Sequence, residues 1–304
     1  VNPLSDLRGI ITVLNTPFTV DDRIDREGLR KNVEYAIHAG VVGVLVPAMA
    51  SEVDKLSNRE RDEILDTVLQ TTAGRAAVIG GASSPDAAQR LRLARRCMEL
   101  GCDGVLVSIP YTDDAAYTRH VQALAALEPP LLMLQDWDAT GPGLPIALIA
   151  RLFEEIPCFR SLKIETLPAG PKYTAVREAT GGRLHLAGGW AVMQMIEALD
   201  RGVHAFMPTG LHHTYCRIYR LYHAGRRDEA RALFNRVLPV LAFSNQHLDI
   251  SIHFFKRLLH RQGLYATPRV RQPIAPFDAI HEHTTEELLA YLACHLPEEK
   301  PLPE

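Results

Sequence analysis

Short apolar runs recur along the chain and are spaced by helical patterns. Eight of them read as buried strands: residues 9–14, 42–47, 76–81, 104–109, 130–135, 160–165, 184–189 and 203–208. Several are continuously apolar, as in "GVLVSI", which is the habit of parallel strands covered on both faces. "HAGVVGVLVPA" (38–48) and "ELGCDGVLVSIP" (99–110) share a helix-ending glycine and the run Gly-Val-Leu-Val, and "DRGVHAFMPTG" (200–210) repeats the theme more loosely. Their spacing fits whole βα modules of about 30 residues. Between the strands, Leu29, Val33, Ala36 and Ile37 form a helical stripe that ends at Gly40. Ser57 and Glu60 make a capping box ahead of Ile64, Leu65, Val68 and Leu69. Ser84-Pro85 is expected to start the third helix.

Eight strand–helix units predict a closed (β/α)8 TIM barrel over residues 1–225. No GxGxxG follows the first strand, which weighs against a dinucleotide-binding sheet. Residues 226–304 carry only helical periodicity and are expected to form a C-terminal helical region, with Pro239 a kink and Thr284–Glu287 capping the last helix.

Composition narrows the function classes. The 304 residues are 47% apolar and 23% charged, with a net charge of −3 and both signs interspersed. No basic stripe points to nucleic acid, and no apolar run reaches the roughly 18–20 residues that cross a bilayer. "VNPLSDLRGI" has neither the basic start nor the apolar centre of a signal peptide, so a cytoplasmic protein is expected. Five scattered cysteines without a CxxC pair are expected to be reduced thiols. His212-His213 and His281/His283 are the densest histidine clusters, and neither has a ligand set at metal-binding spacing. No metal and no cofactor are expected.

One residue breaks the apolar pattern. Lys163 sits near the C-terminal end of the sixth strand, in "FRSLKIET". Alternation puts Lys163 and Glu165 on one side of the strand and Leu162 and Ile164 on the other. If the leucine and isoleucine meet the outer helices, the lysine and glutamate face the barrel mouth, where active sites of such barrels lie. Desolvation favours a neutral amine, which can attack a ketone and form a Schiff base. A structural Lys–Glu pair closing the barrel is the alternative reading of the same residues.

"GIITVLNTPFTVDDRID", "SEVDKLSNRER", "IPY" and "SLKIET" together resemble the dihydrodipicolinate synthase / N-acetylneuraminate lyase family of class I aldolases, over nearly the whole chain. The resemblance implies a (β/α)8 fold, a 2-keto acid substrate, Lys163 as the imine-forming nucleophile, and a homo-oligomer, dimer or tetramer. Departures from the family pattern are as informative. Where the family has Gly-Thr-Thr-Gly-Glu for the keto acid's carboxylate, this chain has Ala48-Met49-Ala50-Ser51-Glu52. Ala50 and Ser51 are the expected substrate contacts there, and Glu52 is either a partner for the following helix or catalytic.

The second tyrosine of Pro-Tyr-Tyr is Thr112, leaving Tyr111. The proton-relay tyrosine of Tyr-Asn-x-Pro falls on Leu134 in Leu134-Gln135-Asp136-Trp137, and an arginine that often follows is Ala139. These changes resemble the family's 2-keto-3-deoxy sugar-acid dehydratase branch more than dihydrodipicolinate synthase itself. A dehydratase or aldolase needs an acid–base group beside Lys163, for which Glu165 is the first candidate, with Tyr111, Asp136 and Ser51 behind it. Gln135, Gly188 and Thr209 are expected to line the substrate site. The rival expectation is a non-catalytic keto-acid-binding barrel that has lost its proton relay.

Overall fold

The computed structural model describes residues 7–299; the side chains of residues 190, 191 and 298 lie outside that description, as does most of the N-terminal stretch read above for a leader. Strands and helices alternate as the pattern predicts. The first half runs β1 (Gly9–Val13), α1 (Arg26–Ala39), β2 (Gly43–Val46), α2 (Asn58–Thr72), β3 (Ala77–Gly81), α3 (Ala87–Leu100), β4 (Gly104–Ser108) and α4 (Asp114–Ala125). The second half runs β5 (Leu132–Asp138), α5 (Ile146–Glu155), β6 (Phe159–Thr166), α6 (Ala169–Ala179), β7 (His185–Gly188), α7 (Met195–Asp200), β8 (Ala205–Phe206) and α8 (His212–His223). Parallel pairing closes the eight strands in chain order into a barrel. Three further helices follow: α9 (Arg227–Ser244), which contains Pro239, α10 (Leu248–Arg261) and α11 (Ala279–His295).

Two helix starts differ from expectation. Helix α3 begins after Asp86, whose carboxylate accepts from the Gln89 N–H at 2.5 Å. Ser84 and Pro85 stay outside, where their carbonyls accept from Arg90. Helix α11 begins after Asp278, which accepts from the N–H groups of Ile280 and His281, both at 3.0 Å. Thr284 and Glu287 therefore lie inside that helix. In both cases an aspartate at the true cap outcompetes a Ser/Thr signal that spacing alone cannot rank. The Ser57–Glu60 capping box on α2 forms as read.

Contacts divide the chain into two compact units, one around Ala77–Met207 with the start of β1, the other around Thr12–Ala76 and the chain from Pro208 onward. The first unit carries β6 at its centre, paired to β5 and β7. Its half-buried His185 accepts from the Ser161 hydroxyl at 2.7 Å and donates to the Leu7 carbonyl at 3.0 Å. In the second unit the buried His212 bridges Thr12 and Asn32 at 3.2 and 3.1 Å, and Asn32 in turn donates to Tyr265. His212 thus serves a buried polar network. Among the described residues no cluster of three or more His, Cys, Asp or Glu could hold a metal ion. The free cysteines among them form no disulfide, and no described helix is long and apolar enough to cross a membrane.

Burial pushes both histidines down, His185 to about 4 and His212 to about 3. The unfolded chain takes up protons near pH 6.5, and the folded chain refuses them until far lower pH. Stability from these groups is complete above about pH 6.5 and is lost as pH falls from there towards 4. Denaturant midpoints measured across that range are expected to fall with pH, and His212→Gln is expected to flatten the slope.

Candidate active site

Cross-strand register decides which side chains meet. Lys163 on β6 stands opposite Gln135 on β5 and Ala187 on β7, and Glu165 stands opposite Trp137. Partners in register on parallel strands share a sheet face, so Gln135, Lys163 and Glu165 face the same way. Leu162 and Leu134 pair on the other face and are fully buried. The residue presented to Lys163 by the fifth strand is therefore Gln135, and Leu134, onto which the missing tyrosine was aligned, points elsewhere.

The three polar side chains form one cluster. Lys163 Nζ lies 3.2 Å from Glu165 Oε2, with both residues less than a tenth exposed. Gln135 Nε2 donates to that same oxygen by a short hydrogen bond. Among the described residues the lysine has no other polar partner. From behind the strand, the Tyr173 hydroxyl donates to the Ile164 carbonyl at 3.2 Å and braces β6.

Gly189, just past β7, sets the clearance. Its φ of −83° suits any residue, so no turn demands glycine there. The reason is proximity: a Cβ at Gly189 would overlap the Glu165 carboxylate and come within 2.6 Å of Lys163 Cε. Gly188 pairs with Ile164 and its carbonyl accepts from the Met207 N–H.

Asp136 is not brought to Lys163. It stands on the opposite face, where one oxygen accepts from the Leu144 N–H at 2.8 Å and the other pairs with Lys172 at 3.0 Å. Lys172 also donates to the carbonyls of Pro142 and Leu144. Burial raises the Asp136 carboxyl, against the pull of the Leu144 N–H and Lys172. The pair ties the β5–α5 turn to α6. Tyr111 is 43% exposed and donates to Asp114 at the start of α4 at 2.7 Å, an acceptor that pushes its phenol upward.

Ala50, Ser51 and Thr209 belong to the other unit. There two 3-10 turns, Met49–Ser51 and Val53–Lys55, follow β2. The Ser51 hydroxyl donates to the Leu14 carbonyl at 2.5 Å and accepts from the Ala48 N–H at 3.0 Å, so it serves its own loop. Asn15 donates to the Ala50 carbonyl, and Thr209 is half-buried beside Gly210. Glu52 stands at the N-terminus of the 3-10 turn Val53–Lys55 and pairs with Lys55 of that turn at 3.4 Å. It is fully buried and paired with Lys256 of α10, and it also accepts from the Arg271 N–H at 2.8 Å. Lys256 donates to the Arg269 carbonyl and lies 4.3 Å from the Phe18 ring centroid. Burial lowers its ammonium to about 8, against the opposing pull of Glu52.

Lys172 and Lys256 were missed in the sequence. The one available signal for Lys256 is its place on an apolar stripe with Ile252 and Leu259.

A closed parallel barrel with a buried lysine on its sixth strand defines a recognisable class, and comparison with known proteins places the chain within it. The model described as "Dihydrodipicolinate synthetase family" matches residues 6–292, and the chain belongs to that family. A 4-hydroxy-tetrahydrodipicolinate synthase of Methanosarcina barkeri is 33% identical over 148 residues, 47% of this chain. The match spans half of that relative's own length. An L-2-keto-3-deoxyarabonate dehydratase of Azospirillum brasilense is 28% identical over 294 residues, 93% of each chain. The solved 4-hydroxy-tetrahydrodipicolinate synthase of Methylacidiphilum fumariolicum SolV superposes with a TM-score of 0.87 at 22% identity, covering 97% of this chain and 98% of that one, which shows the shared fold. The family resemblance and the barrel read from the sequence are both borne out.

Two substitutions test this geometry. Gly189→Ala is expected to fold at a cost of about 1–3 kcal/mol, with the Glu165 carboxylate driven off Lys163; denaturant unfolding and a crystal structure of the variant check both parts. Lys256→Ala removes the closer of the two cations paired with the buried Glu52, leaving Lys55 at 3.4 Å, and is expected to cost about 3 kcal/mol, measured by chemical denaturation.

Proposed function

We propose that the chain is a Schiff-base lyase acting on a 2-keto acid, with Lys163 as the nucleophile and Glu165 as its acid–base partner. The observation that carries this reading is the cluster itself: a buried lysine whose single polar partner among the described residues is a carboxylate held by a glutamine. Glu165 is close enough to take the ammonium proton, which leaves the neutral amine that attack on a ketone requires. Loss of water from the adduct gives an imine at C2.

The substrate branch follows from the departures on β5 and from the dehydratase relative matched along 93% of both chains. A 2-keto-3-deoxy sugar acid is the proposed substrate class. Its imine makes the C3 proton acidic; Glu165 accepts that proton and the enamine forms. The enamine then expels the C4 hydroxyl, which leaves as water with a proton returned from Glu165, and hydrolysis frees Lys163. Gln135 keeps the carboxylate aimed throughout.

The rival reading, a keto-acid binder without a proton relay, loses its main support with Glu165 against the lysine. Residues 226 onward are proposed as an appended helical layer. A homo-oligomer, dimer or tetramer, is proposed from the family resemblance alone.

Borohydride reduction in the presence of pyruvate or a 2-keto-3-deoxy sugar acid is expected to fix a covalent adduct on Lys163, located by peptide mass spectrometry. Lys163→Ala gives none. Glu165→Gln is expected to keep a trappable imine while turnover of the sugar acid falls by about 10²-fold or more. No adduct with any keto acid of a panel sinks the proposal.

A further inference from the structure

Cys97 and Cys102 stand at the end of α3 and take no part in the site around Lys163. The helix stops in a double turn. The Gly101 N–H donates to the Met98 carbonyl and the Cys102 N–H to the Cys97 carbonyl, both at 3.0 Å, with Gly101 left-handed at φ 94°. Such a turn sets its first and last residues side by side, and an apolar contact between them commonly accompanies it. The same long bond is made from Val41 to Ala36, from Val203 to Ala198 and from Leu264 to Leu259. Those paired residues are all aliphatic. At the end of α3 both are cysteine.

Gly80 on β3 gives the two sulfurs their room. A Cβ there would come within 2.5 Å of Cys97 Sγ and 3.1 Å of Cys102 Sγ, so both sulfurs crowd one point. The two cysteines are 2% and 4% exposed. A hydrogen bond with Cys97, and then burial, push the Cys102 thiol upward, which keeps the resting pair protonated and slow to react. The next residue is anchored as well: Asp103 accepts from the Val78 N–H at 2.8 Å and donates its own N–H to the Val78 carbonyl at 2.9 Å. Two thiols held together on an anchored turn meet the proximity that a disulfide requires.

We propose that Cys97 and Cys102 are a redox-responsive staple, which closes to a disulfide under peroxide and locks the α3–β4 turn. One thiolate, uncovered when the end of α3 opens locally, attacks hydrogen peroxide; the O–O bond breaks, water leaves and a sulfenic acid remains. The second sulfur attacks the first, the S–S bond forms and the S–O bond breaks, and the departing hydroxide takes the thiol proton to leave as water. Two thiols and one peroxide thus give one disulfide and two waters. The turn precedes β4, whereas Lys163 lies near the C-terminal end of β6. The N-terminal ends of barrel strands serve stability, and the staple acts on stability.

In the test, the reduced full chain is treated with hydrogen peroxide, denatured, alkylated and cut with trypsin, which releases both cysteines in the single peptide 97–119. Mass spectrometry is expected to find that peptide lighter by two hydrogens and free of alkyl groups. The oxidised chain is expected to melt about 3 °C higher than the reduced one, and dithiothreitol to reverse both changes. Cys102→Ala and Cys97→Ala are each expected to abolish the peroxide-dependent rise. Alkylation of both thiols after peroxide, their conversion to sulfinic acid, or a bond from either to another cysteine overturns the proposal. A closed disulfide that leaves the melting temperature unchanged or lowers it does so too, as does an equal rise in either variant.

Discussion

An ammonium group buried inside a closed barrel is the constraint to which the rest of the site answers. Removing a charged pair from water costs several kcal/mol per ion before any attraction is regained, and Lys163 and Glu165 are both nearly inaccessible. The surroundings offset that cost in specific ways. Gln135 supplies a donor to the carboxylate, Tyr173 braces the strand from behind, and Gly189 leaves the volume that the two side chains occupy. A methyl group at Gly189 would sit where the pair sits.

Three buried lysines differ in how fully their ammonium groups are partnered. Lys172 has a carboxylate and two carbonyls around its ammonium, which saturates its three donors. Lys256 has Glu52, the Arg269 carbonyl and the face of Phe18. Lys163 has Glu165 alone among the described residues. The first two tie distant segments together: the β5–α5 turn to α6, and the loop after β2 to α10. Among the described residues Lys163 ties no distant segments together, and its donors are not filled.

Much of this was readable from residue order. Doubly covered parallel strands must be apolar throughout, so eight short runs such as "GVLVSI" stood out against amphipathic helices, and a lysine within one of them was conspicuous. The failures are local. Ser84-Pro85 and Thr284–Glu287 carry respectable start signals, yet Asp86 and Asp278 hold the caps, because a cap is decided by which side chain reaches the free N–H groups. Glu52 takes one cation, Lys55, from the turn that follows it, but its closer cation is Lys256, which is 204 positions away.

By itself, then, the sequence determined the barrel, its family and the lysine, since periodicity and local motifs are properties of contiguous residues. Only the tertiary structure decided which neighbours that lysine has. On β5 four consecutive residues, Leu134 to Trp137, were candidates for a place beside it. Register against β6 turned Gln135 and Trp137 to its side and Leu134 and Asp136 to the other. A strand's side chains alternate with a period of two, so pairing slipped by one residue would have exchanged the two sets. That choice is made between strands and is written in neither alone.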